Sequence, residues 1–209
     1  MPDPLSLVHI IDDDESLRHA LDSLFRSVGM VTRQYGSAQD FLNAERPDCP
    51  SCLVLDVRLP GKSGLDFQNQ LLELGISIPV VFMTGHGDIS MSVRSMKAGA
   101  VDFLTKPFRD QDMLDAVAAA IDKDQIQREQ GRDTERLQGL FASLSPRERQ
   151  VMALVTRGKM NKQVAAALGL SEITVKIHRG HAMQKMHARS LADLVKMASA
   201  LQLKADGSL

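Results

Sequence analysis

Five short apolar runs, each closed by turn residues and followed by a stretch of helical periodicity, constrain this 209-residue chain more than any other feature. Residues 5–11 run into Asp12-Asp13-Asp14. Residues 16–28 then repeat Leu17, Leu21, Leu24, Phe25 and Val28 at helical spacing up to Gly29. A weaker strand at 30–35 precedes a helix at 37–44, with Ser37 as its N-cap. The third strand is 52–56, followed by a helix at 65–74 that Gly75 stops. A fourth strand at 80–84 leads to a helix at 88–98, and a fifth at 101–105 to a helix from 110 to about 122. Short apolar runs bounded by turn residues read as strands buried on both faces. Five strand–helix alternations at this spacing predict an α/β, doubly wound, five-stranded parallel sheet with helices on both faces and right-handed connections.

The most telling of these runs is CLVLDVRLPGKSG, residues 52–64. A lone carboxylate, Asp56, ends the strand before the chain turns through Pro60, Gly61 and Gly64. The carboxyl edge of such a sheet is where ligand sites are built. There the pattern gathers Asp12, Asp13, Asp56, Thr84 and Lys106 from four strand ends. Clustered carboxylates repel one another, and a divalent oxygen-seeking cation relieves that repulsion. Mg²⁺ fits, because it accepts one or two carboxylates together with phosphate oxygens and water. A carboxylate so placed can attack phosphorus and form an acyl phosphate, with the metal, an ammonium and a hydroxyl neutralising the transferred oxygens.

The second part of the chain is different. Residues 1–143 carry 14 Lys+Arg against 22 Asp+Glu, a net of −8, and residues 144–209 carry 11 against 4, a net of +7. All seven Phe and the one Tyr lie in the first part. An acidic domain joined to a basic one points to nucleic acid as the partner of the latter. Residues 123–143 are polar and read as a partly helical linker that could continue the fifth helix. Gly131 argues for a break near its middle. From Leu144 onward the pattern is all helix. Ser145-Pro146-Arg147-Glu148 is a start signal, with Ser as N-cap, Pro first and Glu third. Residues 161–168 form a short helix closed by Gly169, Ser171 caps a helix over 172–186, and a last helix spans 190 to about 203. The two short helices around Leu168-Gly169-Leu170-Ser171 read as a helix-turn-helix. Thr174, Lys176, Ile177, Arg179 and Gly180 lie on its exposed N-terminal face, and Val175 and Met183 face the core.

No apolar run approaches the ~20 residues that span a membrane, and the N-terminal run is too short for a signal peptide, so the expectation is a cytoplasmic protein. Cys49 and Cys52 form an isolated CxxC before a strand. With no second pair, they read as structural, Cys52 being a small core residue.

DDDESLR, LVLDVRLPGKSG, VVFMTGHGD and FLTKPF resemble the receiver domain of two-component response regulators. LSPRERQV, NKQVAAALGLS and TVKIH followed by QKM resemble the LuxR-type helix-turn-helix output domain. Together they resemble a response regulator of the FixJ/NarL type, nearer the FixJ branch. The resemblance implies a receiver over 1–122, a linker over 123–143 and a DNA-binding domain over 144–209. It implies that Asp56 accepts a phosphoryl group from a sensor histidine kinase and that Asp13 binds Mg²⁺ directly, with Mn²⁺ or Ca²⁺ as substitutes. Asp12 would support the metal shell and the Arg58 backbone carbonyl would add a ligand. Lys106 would pair with phosphoryl oxygens, and Thr84 and Phe103 would form the switch. Asp14 reads as a helix cap rather than a ligand. The Lys106-Pro107 bond is a candidate cis peptide. His86 occupies a position that tunes acyl-phosphate hydrolysis in the family, and a bystander surface His reads as well there.

On the output side, Lys176, Ile177 and Gly180 match the family's base-facing positions. Gly180 departs from regulators with a long polar side chain there. Lys162, Thr174, Arg179 and Lys185 read as phosphate contacts. The resemblance further implies promoter DNA and RNA polymerase as partners and a homodimer on phosphorylation. That dimer would form through the last helix of the output domain and through Val93, Lys97 and Ala100 of the receiver. It implies no turnover enzyme, only Mg²⁺-dependent self-phosphorylation and autodephosphorylation. Two rivals stand beside it. A Mg²⁺-dependent phosphohydrolase with an aspartyl nucleophile usually needs a second acid two residues on, where this chain has Arg58. A DNA-binding protein whose receiver only dimerises would have no need of the acids, Thr84 and Lys106.

Overall fold

The computed structural model describes residues 6–85 and 89–202. The His86 reading lies outside them. By internal contacts the chain divides into two units, Met1–Arg128 and Glu129–Leu209.

The first unit opens with strand β1 (Leu7–Ile11), helix α1 (Glu15–Ser27), strand β2 (Val31–Tyr35), helix α2 (Ala38–Asn43) and strand β3 (Ser51–Asp56). A two-residue hairpin follows, β4 (Arg58–Leu59) and β5 (Lys62–Ser63), then helix α3 (Gly64–Glu73), strand β6 (Val80–Thr84), helix α4 (Ile89–Lys97) and strand β7 (Asp102–Thr105). The five long strands form one sheet in the order β2-β1-β3-β6-β7, every pair parallel. Alternate residues of β1, β3 and β6 enter two apolar cores. Val8, Ile10, Cys52, Val54, Val81 and Met83 pack with Leu21 and Phe25 of α1 on one face. Ile11, Leu53, Leu55 and Phe82 pack with Phe41, Phe67 and Leu71 on the other. Burial on both faces is why these strands read as continuous apolar runs rather than as alternations. Each fully buried Leu, Ile or Phe contributes about 1.5–3 kcal/mol.

The caps follow the sequence reading. Asp14 accepts from the backbone N–H groups of Ser16 and Leu17, and Ser37 from that of Asp40. Cys52 is a free, buried thiol whose pKa burial pushes up, and Cys49 is also unbridged, in agreement with a structural role for the pair. The β4–β5 hairpin was not foreseen. It forms where Gly61 turns with φ +82° inside what reads as an irregular turn.

Helix α5 runs as one element over Asp110–Ala142, past residue 122 and through the segment read as a linker that could continue it. The helix passes through Gly131 without the expected break. A Cβ there would meet nothing within 4 Å. A solvated glycine costs a helix only about 1 kcal/mol. The surrounding Glu, Gln and Arg are good helix formers, and Arg128 pairs with Asp124 one turn earlier at 2.6 Å. Ala100 is a further correction. It is buried in the second core and cannot belong to a docking face, while Val93 and Met96 of α4 are exposed.

The second unit consists of the end of α5 with helices α6 (Pro146–Val155), α7 (Asn161–Leu168), α8 (Glu172–Lys185) and α9 (Leu191–Ala200). Its core joins Phe141 and Leu144 to Val151, Met152, Val164, Val175, Met186 and Leu194. Ser145 and Glu148 close a reciprocal capping box, as SPRE predicts. Gly169 ends α7 at φ +66° and Ser171 caps α8, which makes the turn between the two helices. Val175 is buried and Met183 packs against the core, both as expected.

Candidate functional site

Strand register assembles the crevice in the first unit. Ile11 pairs with Leu55, Asp56 with Met83, and Thr84 with Thr105. The residues that leave these strands, Asp12, Asp56, Thr84 and Lys106, therefore emerge at one edge of the sheet. It is also where chain order reverses between β1 and β3, the switch point at which such sheets place ligands.

Lys106 Nζ donates to Asp12 Oδ2 at 2.7 Å and to Asp56 Oδ2 at 2.5 Å. Asp56 Oδ1 accepts the Arg58 N–H at 2.8 Å, and Asp12 Oδ1 the Asp14 N–H at 2.9 Å. The Arg58 bond brings that residue's backbone against the Asp56 carboxylate. Arg18 donates to the Asp12 carbonyl at 2.8 Å and holds the β1–α1 turn. Asp12 and Asp56 are buried and Asp13 is exposed. One carboxylate oxygen from each lies within 4.8 Å of the others.

Burial pushes the Asp12 carboxyl up, and the bond from Lys106 does not offset it. Burial also works against the Lys106 charge, but its bonds to Asp12 and Asp56 outweigh that and hold its pKa above the usual value. One ammonium serves Asp12 and Asp56 with Asp13 nearby, so the crevice keeps surplus negative charge. A small hard cation with oxygen ligands fits such a donor set. Gly64 is the residue that sequence reasoning undervalued. A Cβ there would come within 2.4 Å of the Asp56 carbonyl oxygen, so only glycine lets α3 start so close to the acid. The turn composition signalled a glycine but not its reason.

Thr84, Phe103 and the Lys106-Pro107 bond, the remaining receiver candidates, lie as follows. Thr84 is fully buried, and its carbonyl accepts the Lys106 N–H at 2.7 Å. The Lys106-Pro107 peptide is cis. Phe103 is half-buried beside Phe82, with ring centroids 6.5 Å apart and planes tilted by 48°.

In the second unit, Lys162, Lys176, Ile177 and Gly180 are exposed, and Thr174 and Arg179 are half-buried. The Thr174 hydroxyl lies 2.8 Å from that of Ser171 and joins the cap of α8. Lys185 has a partner that the sequence did not suggest. Its ammonium donates to Glu148 Oε2 at 2.7 Å. Burial alone would raise Glu148, but bonds from Lys185 and Ser145 win and hold its pKa at about 2.

Comparison with known proteins fits both units. The response regulator receiver domain model matches residues 8–118, and the model for bacterial regulatory proteins of the luxR family matches residues 142–198. The chain is a response regulator of the FixJ/NarL type. This response regulator is 59% identical to nodulation protein W of Bradyrhizobium diazoefficiens over 201 residues, covering 96% of this chain and 88% of the other. It is 47% identical to TodT of Pseudomonas putida over 202 residues, covering 97% and 89%. Among solved structures, response regulator StyR superposes with a TM-score of 0.82 at 46% identity, covering 93% of this chain and 98% of that one. The structure of FixJ-N superposes at a TM-score of 0.51 with 38% identity, over 58% of this chain and 96% of the other. A receiver with a LuxR-type output domain makes this response regulator a DNA-binding regulator of transcription and not a turnover enzyme.

Proposed function

We propose that Asp56 is the phospho-acceptor and that its phosphorylation by a sensor histidine kinase controls dimerisation and promoter binding. The carrying observation is the Asp56 carboxylate itself, bonded to Lys106 beside Asp12 and Asp13. One Asp56 oxygen attacks the phosphorus of a phosphohistidine. A P–O bond forms, the P–N bond breaks, and the kinase imidazole leaves. Lys106 keeps its ammonium on the transferred oxygens. Asp13, Asp12, Asp56 and the Arg58 carbonyl would hold Mg²⁺, with Mn²⁺ or Ca²⁺ as substitutes. When bound, the cation neutralises charge that develops on the phosphoryl oxygens.

The added charge draws the Thr84 hydroxyl inward, and Phe103 turns into the vacated space. Exposed Val93 and Met96 lie on α4, the helix expected to carry the dimer face. The switch is a population shift, because the phosphate must bind the active state more tightly than the resting one. In this reading the receiver extends through residue 122, the segment 123–143 connects, and the output domain begins at 144. There Lys176 and Ile177 face bases, while Lys162, Thr174 and Arg179 contact phosphates. Gly180 adds close backbone approach without a side chain. Lys185 steadies the start of α6 in the free protein and lies at the rim of the DNA face. RNA polymerase is the further partner, in the cytoplasm.

The test is Asp56→Asn with a small-molecule phosphodonor and Mg²⁺. Wild type should dimerise and bind DNA more tightly, and Asp56→Asn should keep its fold and basal DNA binding without responding. Equal dimerisation of both would refute the switch.

A further inference from the structure

We infer that Ile173 is a base-reading residue of α8 and that, with Ile177, it recognises thymine methyl groups in the major groove. The inference rests on the reading that α8 enters that groove. Along α8 the exposed residues Ile173, Lys176, Ile177 and Gly180 recur at i, i+3, i+4 and i+7, one continuous stripe. The opposite side is committed to the core through Val175 and Ala182. Ile173 is 74% exposed and Ile177 52%, and neither belongs to the output core. A single exposed isoleucine needs no explanation. Two on one turn of the stripe, with Lys176 between them and Arg179 alongside, form an apolar strip flanked by two cations, with Glu172 the one acid of that turn.

That combination fits one occupant better than a protein partner. Phosphates meet the cations, and the major groove offers a single apolar group on its base edges, the thymine 5-methyl. Facing side chains one helical turn apart are about 5–6 Å from each other. Base pairs rise about 3.4 Å per step, so the two isoleucines span methyls one or two steps apart. Gly180 explains why the reading moves toward Ile173. It presents no side chain, and a Cβ there would meet nothing within 4 Å, so the stripe is bare at that end. Recognition helices insert their N-terminal residues, and Ile173 is the second residue of α8.

The test uses the full-length, phosphodonor-treated protein. A preferred site is selected from random duplexes, and each thymine in it is replaced singly by deoxyuridine, which lacks only the methyl. Wild type should lose about fourfold in affinity at one position for each isoleucine, the worth of one buried methyl group. Ile173→Ser should lose the sensitivity at one of these positions and keep it at the other, with helix content unchanged by circular dichroism. Ile173→Val should behave as wild type. Site-specific binding with no uracil-sensitive position overturns the inference alone, as does an Ile173→Ser profile equal to wild type. An Ile173→Ser variant that changes self-association but not the uracil profile assigns the strip to a second copy of the chain. Failure to select any site overturns the major-groove reading as well.

Discussion

Lys106 between Asp12 and Asp56, and Lys185 on Glu148, are the same ion pair used in two ways. The bonds are 2.7 and 2.5 Å in the first and 2.7 Å in the second. In the receiver, one ammonium serves two buried acids with a third nearby, and burial still pushes Asp12 up. In the output unit, one acid collects the Lys185 ammonium and the Ser145 N–H, with His181 3.6 Å away, and its pKa falls to about 2. The output pair is saturated and holds a helix start together. The receiver pair is left short of positive charge, which is a property of sites rather than of scaffolds.

Acid should separate the two units, and the largest effect comes from a residue outside both pairs. His9 is buried in β1, 3.0 Å from the Tyr35 hydroxyl and edge-on to Phe41. Burial, aided by Arg33 and Arg46, holds its pKa down at about 4. The folded receiver therefore keeps His9 neutral while the unfolded chain protonates it. This contribution is complete above about pH 6.5 and is lost as pH falls toward 4, about 3 kcal/mol in all. Tyr35 is the only tyrosine in a chain without tryptophan, so its fluorescence in urea titrations reports this unit. A His9→Gln receiver should show no such window.

Next in size is Glu148→Gln, which should destabilise the output unit by about 2 kcal/mol at pH 7. The wild-type contribution is present above about pH 4.5 and is lost as pH falls toward 2. Hydrogen exchange at the first turn of α6 reads it, and unchanged exchange would break the contrast with Lys106. Asp12→Asn should act with the opposite sign. Without divalent cations it should raise receiver stability by roughly 1 kcal/mol, since it removes a poorly compensated buried charge. It should also remove most of the stabilisation that Mg²⁺ gives wild type. A destabilised Asp12→Asn would put both pairs in one class. The smallest effect is expected at Lys185. Lys162→Ala should lower the salt-dependence slope of DNA binding by about 1, and Lys185→Met by less, because Glu148 already holds that ammonium.

The sheet and the acids at its edge were legible because both-face burial writes each strand as an apolar run and leaves the next polar residue at the rim. Asp12, Asp56, Thr84 and Lys106 are such residues. The caps at Asp14, Ser37 and Ser145 were legible because capping is local chemistry. What escaped depends on contacts between separate elements. The Gly64 contact needs the Asp56 carbonyl from a separate element. The Lys185–Glu148 pair spans 37 residues, and the His9–Tyr35 contact 26. Ala100 read as surface because small residues fit either environment. The break expected at Gly131 is absent because a single glycine carries less weight in a long solvated helix than in a short one.

The most direct test is intact-mass analysis and peptide mapping of the full-length protein after treatment with a small-molecule phosphodonor, with Mg²⁺ or with excess chelator. One phosphoryl group on Asp56, formed only with the cation, is the predicted result. An adduct on another residue, or equal labelling under chelator, would contradict the assignment of this crevice.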